Sequence, residues 1–336
     1  MEYHFKNLVF EGGGVKGIAY VGALEVLEEK GILQGIKRVG GTSAGAIIAL
    51  IIGLGYSNEE IKNELSKVNF EDFMDDDIGP IRDLYRLLFK GHGWFKGDSF
   101  LKWIETIIDK KTGNKDITFK EIKGNNKFKE MYFQGTNLST HRVETFSTEN
   151  IKCEDMCIKD AVRISMSIPL FFKAVQRDGF YYVDGGVLSN YPVRLFDREK
   201  YVEKNEHYFI PDYYEELIQI ESDNPYVYNK ETLGFRLDSK NQIDIFTGTA
   251  QPKQHKITSF FDYTWNLIGT LMENQENTHL TGDDQDRTVY VDSLDVSAID
   301  FRIESEIKDK LIASGRASTE LYFENYNAES TRSNRI

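Results

Sequence analysis

Gly41-Thr42-Ser43-Ala44-Gly45 decides how the rest of this chain is read. It fits G-x-S-x-G, the pattern of a serine held on a sharp turn between a strand and a helix with its hydroxyl clear of the backbone. Small neighbours suit such a turn, because it brings two backbones together where a larger side chain would collide. Both flanks agree. Ile36 to Gly40 reads as a short strand, and Ala44 to Leu54 is a nearly unbroken apolar run expected to form a buried helix. Ser43 then sits at that helix's N-terminus, where unpaired N–H groups and the helix dipole favour negative charge. An ordinary glycine-rich turn with an incidental serine is the alternative, and the rest of the chain weighs between them.

Upstream, Lys6 to Phe10 has the character of a buried strand, and Glu11 to Gly17 reads E-G-G-G-V-K-G. From Ile18 to Lys30 the apolar residues keep helical spacing, and Gly31 is placed to end that helix. The opening is therefore β-α-β-α, which argues for an α/β sheet with helices on its faces. The glycine loop has two readings. Gly12, Gly14 and Gly17 match the dinucleotide fingerprint G-x-G-x-x-G. That fold also wants a carboxylate near the end of the second strand, and this strand ends in Gly40-Gly41-Thr42-Ser43. The second reading is an oxyanion hole, in which the successive amides of Gly12, Gly13 and Gly14 point into one small space. The missing acid favours the oxyanion hole. Lys16 is the one charge in the loop, either fixing it or meeting a phosphate.

Downstream, Met131 to Leu138 and Arg142 to Phe146 are expected as two strands, and Ile158 to Met166 as a helix stopped before Pro169. Phe180 to Val183 then reads as a strand ending in Asp184-Gly185-Gly186. An acid at a strand's end, on a turn suited to glycine, can face the same cleft as Ser43; a plain Asp-Gly turn is the alternative. A serine nucleophile needs a base. Six histidines are present, and His207, His255 and His279 follow Asp184 in the order of a Ser…Asp…His triad. Asp184 itself is the other candidate base.

The 336 residues are 40% hydrophobic, which supports a sizeable core, and the net charge of −13 argues against nucleic acid and strongly anionic membranes as partners. The two cysteines, Cys153 and Cys157, exclude a disulfide framework and fit a reducing compartment. No charged-then-apolar leader is visible at Met1 to Phe10, and the longest apolar run is too short for the ~20 residues of a membrane span. The expectation is a cytoplasmic protein, peripheral at membranes when active, with export by a signal-independent route left open. Phe70 to Phe95 mixes apolar residues with Asp75-Asp76-Asp77; it is expected to cover the sheet, or alternatively to form a lid, with the acids a solvated turn and no metal site. His255 to Met272 carries an apolar stripe expected as core, or alternatively as a membrane contact. Tyr201 to Tyr228 reads as an insertion at the sheet edge, and Ile303 to Tyr326 as a closing helix.

Taken together, Gly12-Gly13-Gly14-Val15-Lys16-Gly17, Gly41-Thr42-Ser43-Ala44-Gly45 and Asp184-Gly185-Gly186 resemble the three signatures of patatin-like phospholipases, in the family's order. Ser165 to Phe172 is similar to the family's segment before its D-G-G, and Asn190 and Pro192 stand where the family tends to place an Asn and a Pro. The likeness runs well from Leu8 to Pro192, weakens from Val193 to Asp286, and returns at Arg287 to Asp292. It implies a patatin-type three-layer α/β fold with a mostly parallel central sheet and helices on both faces. It also implies one domain over 1–326 (core 1–195 plus 287–326, insertion or cap at about 196–286) with a frayed tail at 327–336. The implied activity is hydrolysis of ester-linked acyl chains from phospholipids or related lipids by a Ser43–Asp184 dyad, without histidine, cofactor or metal. The oxyanion is then expected on the amides of the Gly12 to Gly14 loop together with that of Ala44, and Gly17, Gly41, Gly45, Gly185 and Gly186 support the motif turns.

Overall fold

The computed structural model describes residues 3–75, 93–218, 223–242, 251, 257–258, 263, 266–270 and 282–326. In chain order its elements begin with β1 (Asn7–Phe10), α1 (Tyr20–Glu29), β2 (Arg38–Gly41), α2 (Ala44–Gly53) and α3 (Asn58–Lys67). They continue with β3 (Gly93–Phe95), α4 (Asp98–Thr112), α5 (Phe119–Ile122), β4 (Glu130–Asn137), β5 (Arg142–Ser147) and α6 (Ile158–Ser165). The remainder are β6 (Leu170–Phe172), β7 (Val175–Arg177), β8 (Phe180–Asp184), β9 (Tyr208–Phe209), α7 (Asp212–Ile218), β10 (Tyr228–Asn229), β11 (Thr232–Asp238), α8 (Gly282–Asp286), β12 (Thr288–Asp292) and α9 (Ser305–Asn325).

The central sheet runs β12-β11-β1-β2-β4-β8-β7, with β5 also on β4. The pairs from β12 to β4 are parallel, and β5, β8 and β7 join antiparallel. Side chains alternate across it as strand geometry requires. Leu8, Phe10, Val39 and Phe133 face one core with α1, α2 and α9. Val9 and Tyr132 face the other way, against Phe196 and Tyr201, beside the 3₁₀ helix Val193–Phe196. Every residue of α2 is buried, which accounts for its lack of a polar face. α3 is the opposite case: Ser57 caps it reciprocally with Glu60, and only Asn58, Ile61 and Leu65 are buried.

Two expectations change. The stretch 196–286, expected as an insertion, supplies β11, which pairs with β1 in the middle of the sheet. It looks peripheral in sequence because alternate residues are polar. Arg236 and Asp238 are nonetheless buried and pair at 2.8 Å. Asp75 is no free acidic turn: its carboxylate accepts the N–H groups of Gly97, Asp98 and Ser99 and so caps α4. Of the proposed lid, Phe73 packs on Phe100 and Trp103 and Phe95 on Phe171, as cover would. Asp76, Asp77, Leu84, Leu87, Leu88 and Phe89 lie outside the described residues. So do Phe260, Phe261, Trp265 and Met272 of the apolar stripe; of its remaining members, Ile257 is exposed and Ile268 buried. Cys153 is a buried thiol and Cys157 a half-buried one. No described helix is long and apolar enough to cross a membrane.

Candidate active site

The site is made by one edge of β4. A strand has two hydrogen-bonding edges, and β5 runs along one of them from Tyr132 to Asn137. β2 and β8 must therefore share the other. β2 lies parallel beside it, with Gly41 opposite Phe133, and β8 lies antiparallel, with Asp184 opposite Gly135. The two strands run toward each other and stop on either side of Gln134. The turn after β2 carries Ser43, and the end of β8 is Asp184, so the two motifs meet end to end. Gly185 fits into this gap; a Cβ there would lie 2.5 Å from the Gln134 carbonyl oxygen.

Ser43 has φ 55° and ψ −125°, a conformation an L-residue holds only when its surroundings impose it. Here Gly45 imposes it: α2 starts so close to β1 that a Cβ on Gly45 would come within 2.2 Å of the Phe10 carbonyl oxygen. The glycine loop is equally close. A Cβ on Gly12 would lie 3.0 Å from Ser43 Cβ. The loop is tied down by buried Glu11, whose carboxylate accepts the Leu237 N–H at 2.5 Å and an Asn190 side-chain N–H at 3.2 Å. Lys16 Nζ donates to the Leu237 carbonyl at 3.4 Å, which fixes the loop to β11.

The four expected oxyanion donors divide. Gly12 donates its N–H to the Asn190 carbonyl at 3.1 Å, so it shapes the turn and has no amide to offer. Val15 likewise donates to Ala298. Among the described residues the Gly13, Gly14 and Ala44 amides have no protein acceptor. Gly13 and Gly14 open the 3₁₀ turn Gly14–Ala19 and Ala44 opens α2, so these are first-turn N–H groups with no helical partner.

Asp184 is 1% exposed. Its Oδ1 accepts the Gly186 N–H at 2.7 Å, while Oδ2 is buried with no donor at full hydrogen-bond geometry. Burial pushes its pKa up to about 7; the Gly186 N–H and then the Ser43 hydroxyl pull the other way. A carboxylate in this state is close to a histidine in basicity.

No histidine takes that position among the described residues. His207 bonds Glu231 at 2.7 Å and packs at a tilt against His4 with ring centroids 4.7 Å apart. Glu231 precedes β11, which puts this pair at the amino edge of the sheet, opposite Ser43. His255 and His279 lie outside the described residues.

The segment after α6 carries contacts that the sequence alone did not assign. Ser43 donates its N–H to Ser165 Oγ at 3.0 Å, and Ser43 Oγ lies 3.5 Å from Met166 Sδ. Asp184 donates its N–H to the Ser167 carbonyl at 2.9 Å. Three consecutive residues thus touch both halves of the site. Arg163 holds them from below, donating to Ser167 Oγ at 2.6 Å and to the Lys96 carbonyl at 2.7 Å. The available signal was two serines around a methionine where the α6 helix stops short of a proline. Ser165→Ala would orphan the buried Ser43 N–H and loosen the turn. We expect kcat to fall about tenfold, with KM and the pH profile unchanged. Stopped-flow labelling by a fluorophosphonate should slow in parallel. A variant that loses stability but labels at the normal rate would show Ser165 to be a packing residue only.

Comparison with known proteins agrees with this geometry. A family model described as patatin-like phospholipase matches residues 8–197. An uncharacterized protein of Acanthamoeba polyphaga mimivirus is 30% identical over 316 residues, covering 94% of this chain and 92% of its own. A probable lipid hydrolase of Invertebrate iridescent virus 6 is 27% identical over 198 residues, 57% of this chain and 63% of its own. Among solved structures, VipD from Legionella pneumophila aligns with a TM-score of 0.52 at 17% identity, over 95% of this chain and 66% of its own, a likeness of fold alone. The matched span contains the glycine loop, the serine turn, β4 and the aspartate that β4 brings to it; the chain belongs to the patatin-like phospholipase family, a family of lipid hydrolases.

Proposed function

We propose that this protein hydrolyses ester-linked acyl chains of phospholipids or related lipids, as a phospholipase A or lysophospholipase, with Ser43 as nucleophile and Asp184 as base. The observation that carries this reading is the buried Asp184 carboxylate beside Ser43, with its pKa raised to about 7. In the first step Asp184 takes the hydroxyl proton as Ser43 Oγ bonds to the ester carbonyl carbon. The oxygen of the tetrahedral intermediate then faces the amides of Gly13, Gly14 and Ala44, supported by the dipole of α2. Asp184 returns the proton to the leaving alcohol, and the C–O bond breaks to leave an acyl-enzyme. Water, deprotonated by Asp184, attacks the acyl carbon; Ser43 leaves and recovers its proton.

Every proton in this cycle moves between Ser43, Asp184, water and substrate, so the residues present can complete it. The dinucleotide reading is weaker, since Gly12 donates its amide within the protein and β2 ends without a carboxylate. We also read residues 1–326 as one domain acting peripherally at lipid surfaces from the cytoplasm. The test is a panel of phospholipids and lysophospholipids with products identified by mass spectrometry, run beside a titration with NAD and NADP. Free fatty acid released from one of the lipids is the expected result. Cofactor binding with no acyl product would overturn it.

A further inference from the structure

Two hairpin tips stand beyond the catalytic edge of the sheet. β4 continues past Phe133, where its pairing with β2 ends, to Asn137, and turns into β5. β7 turns into β8 beside it, with Arg177 opposite Phe180. The two tips are joined, since Leu138 donates its N–H to the Tyr181 carbonyl at 2.8 Å and Tyr181 donates to Ser139 Oγ at 3.0 Å. The register aligns their side chains. Thr136 stands opposite both Val143 and Val183, so these three share a face, and Leu138 and Tyr181, two residues further out, lie on it as well.

Leu138 is 44% exposed, and Val143, Phe180 and Tyr181 are exposed to 39–40%. The fringe carries Arg142 and Arg177 against two acids, Asp178, which pairs with Arg177 at 3.1 Å, and Glu144, which accepts from the Asn137 amide and the Tyr182 hydroxyl. In a chain of net charge −13 this is an apolar spot whose charges balance. It points the way the site opens, because β1, β2 and β4 run parallel and the glycine loop and Ser43 lie at their carboxyl ends. Tyr181 to Asp184 is three residues along β8, about 10 Å.

We propose that these two tips are a docking surface for a phospholipid bilayer, and that they set the catalytic cleft against the lipid. The proposal rests on the acyl-hydrolase reading for its purpose but not for its test. Four apolar side chains are far too few for a stable dimer, which needs about 800 Å² from each partner. They suffice for a shallow insertion of apolar and aromatic groups, where an amphipathic tyrosine sits at headgroup level. The span of about 10 Å from tip to Asp184 matches the depth of such insertions, so a lipid need rise only part-way from the bilayer to reach Ser43.

The experiment is co-sedimentation of the full chain with vesicles of phosphatidylcholine alone, and of phosphatidylcholine and phosphatidylserine in equal parts. The paired substitution Leu138→Glu and Tyr181→Ser should weaken binding to both by about tenfold or more, because two inserted apolar groups are lost. Turnover of a short-chain, water-soluble ester should be unchanged. Tyr181→Trp, which keeps the ring and adds interfacial affinity, should bind more tightly than the parent. Parent-level sedimentation of the paired variant, parent-level sedimentation of Tyr181→Trp, or no sedimentation of the parent protein would each overturn the proposal. Because sedimentation needs no turnover, tip-dependent binding by a protein that cleaves no ester would uphold the surface and refute the hydrolase reading instead.

Discussion

Ser43→Ala should remove lipid and ester hydrolysis while leaving the fold intact. The loss expected from deleting a serine nucleophile is about ten-thousand-fold or more in kcat. The fold should survive because the Ser43 side chain makes no helix-cap bond, and its polar contacts are with Met166 Sδ at 3.5 Å and the Asp184 carboxylate, neither of which ties one element to another through Ser43 alone. Alanine keeps the Cβ and so keeps the strained backbone. Glycine should not: at φ 55°, Ser43→Gly should be equally inactive yet more stable than the alanine variant by about 1 kcal/mol, as the strain is relieved. Thermal melts of the two variants measure this. A serine-directed fluorophosphonate should add its mass to the peptide carrying Ser43 and to no other. Labelling elsewhere, or turnover surviving in Ser43→Ala, would remove Ser43 from the mechanism.

Asp184→Asn should cost as much activity as the loss of Ser43, and should also change how stability depends on pH. In the parent protein kcat/KM should rise with pH and level off with an apparent pKa near 7, because the base works ionised and burial holds the carboxyl protonated below that. The stability effect has the opposite sign. The folded-state pKa is raised from 3.8 to about 7, so the folded protein binds the proton more tightly than the unfolded chain does. That contribution is fully present below about pH 4 and is lost as pH rises through 7; at pH 8 the ionised carboxylate costs on the order of 4 kcal/mol. Asparagine keeps the Oδ1 that accepts the Gly186 N–H and removes the charge. Asp184→Asn should therefore melt well above the parent at pH 8 and close to it only near pH 4. Near-normal turnover in this variant would reduce Asp184 to a turn residue. Loss of turnover in His207→Gln with the fold intact would point to a histidine base, against its pairing with Glu231 at the far edge.

Much of this was written in short stretches of sequence. The turn at Ser43, the buried helix after it, the glycine loop and the acid ending β8 are each local patterns, and each falls where the pattern predicts. What joins them is not local. That β2 and β8 share one edge of β4 depends on a register between segments far apart in the chain. The Gly12 amide illustrates the limit: three glycines in a row predict three donors, but the Asn190 carbonyl occupies one of them. Ser165 and Ser167 stand out in sequence only as a pair around a methionine, and their contacts become legible once the α6 terminus is set beside Ser43. β11 hides because half its side chains are polar groups that find buried partners, such as Arg236 with Asp238.

The shared edge of β4 also bears on the protein's birth. Ser43 leaves the ribosome early, but the strand that aligns it with Asp184, its proposed base, comes later, and Asp184 is the last residue of β8. At ~5–20 residues per second, on the order of ten seconds separate Ser43 from Asp184. β1, whose end carries the glycine loop, lacks its second neighbour until β11 has been made. On the proposed dyad, a nascent chain therefore carries its serine without a base until β8 has been made, and premature termination before β8 yields a fragment that lacks the base altogether.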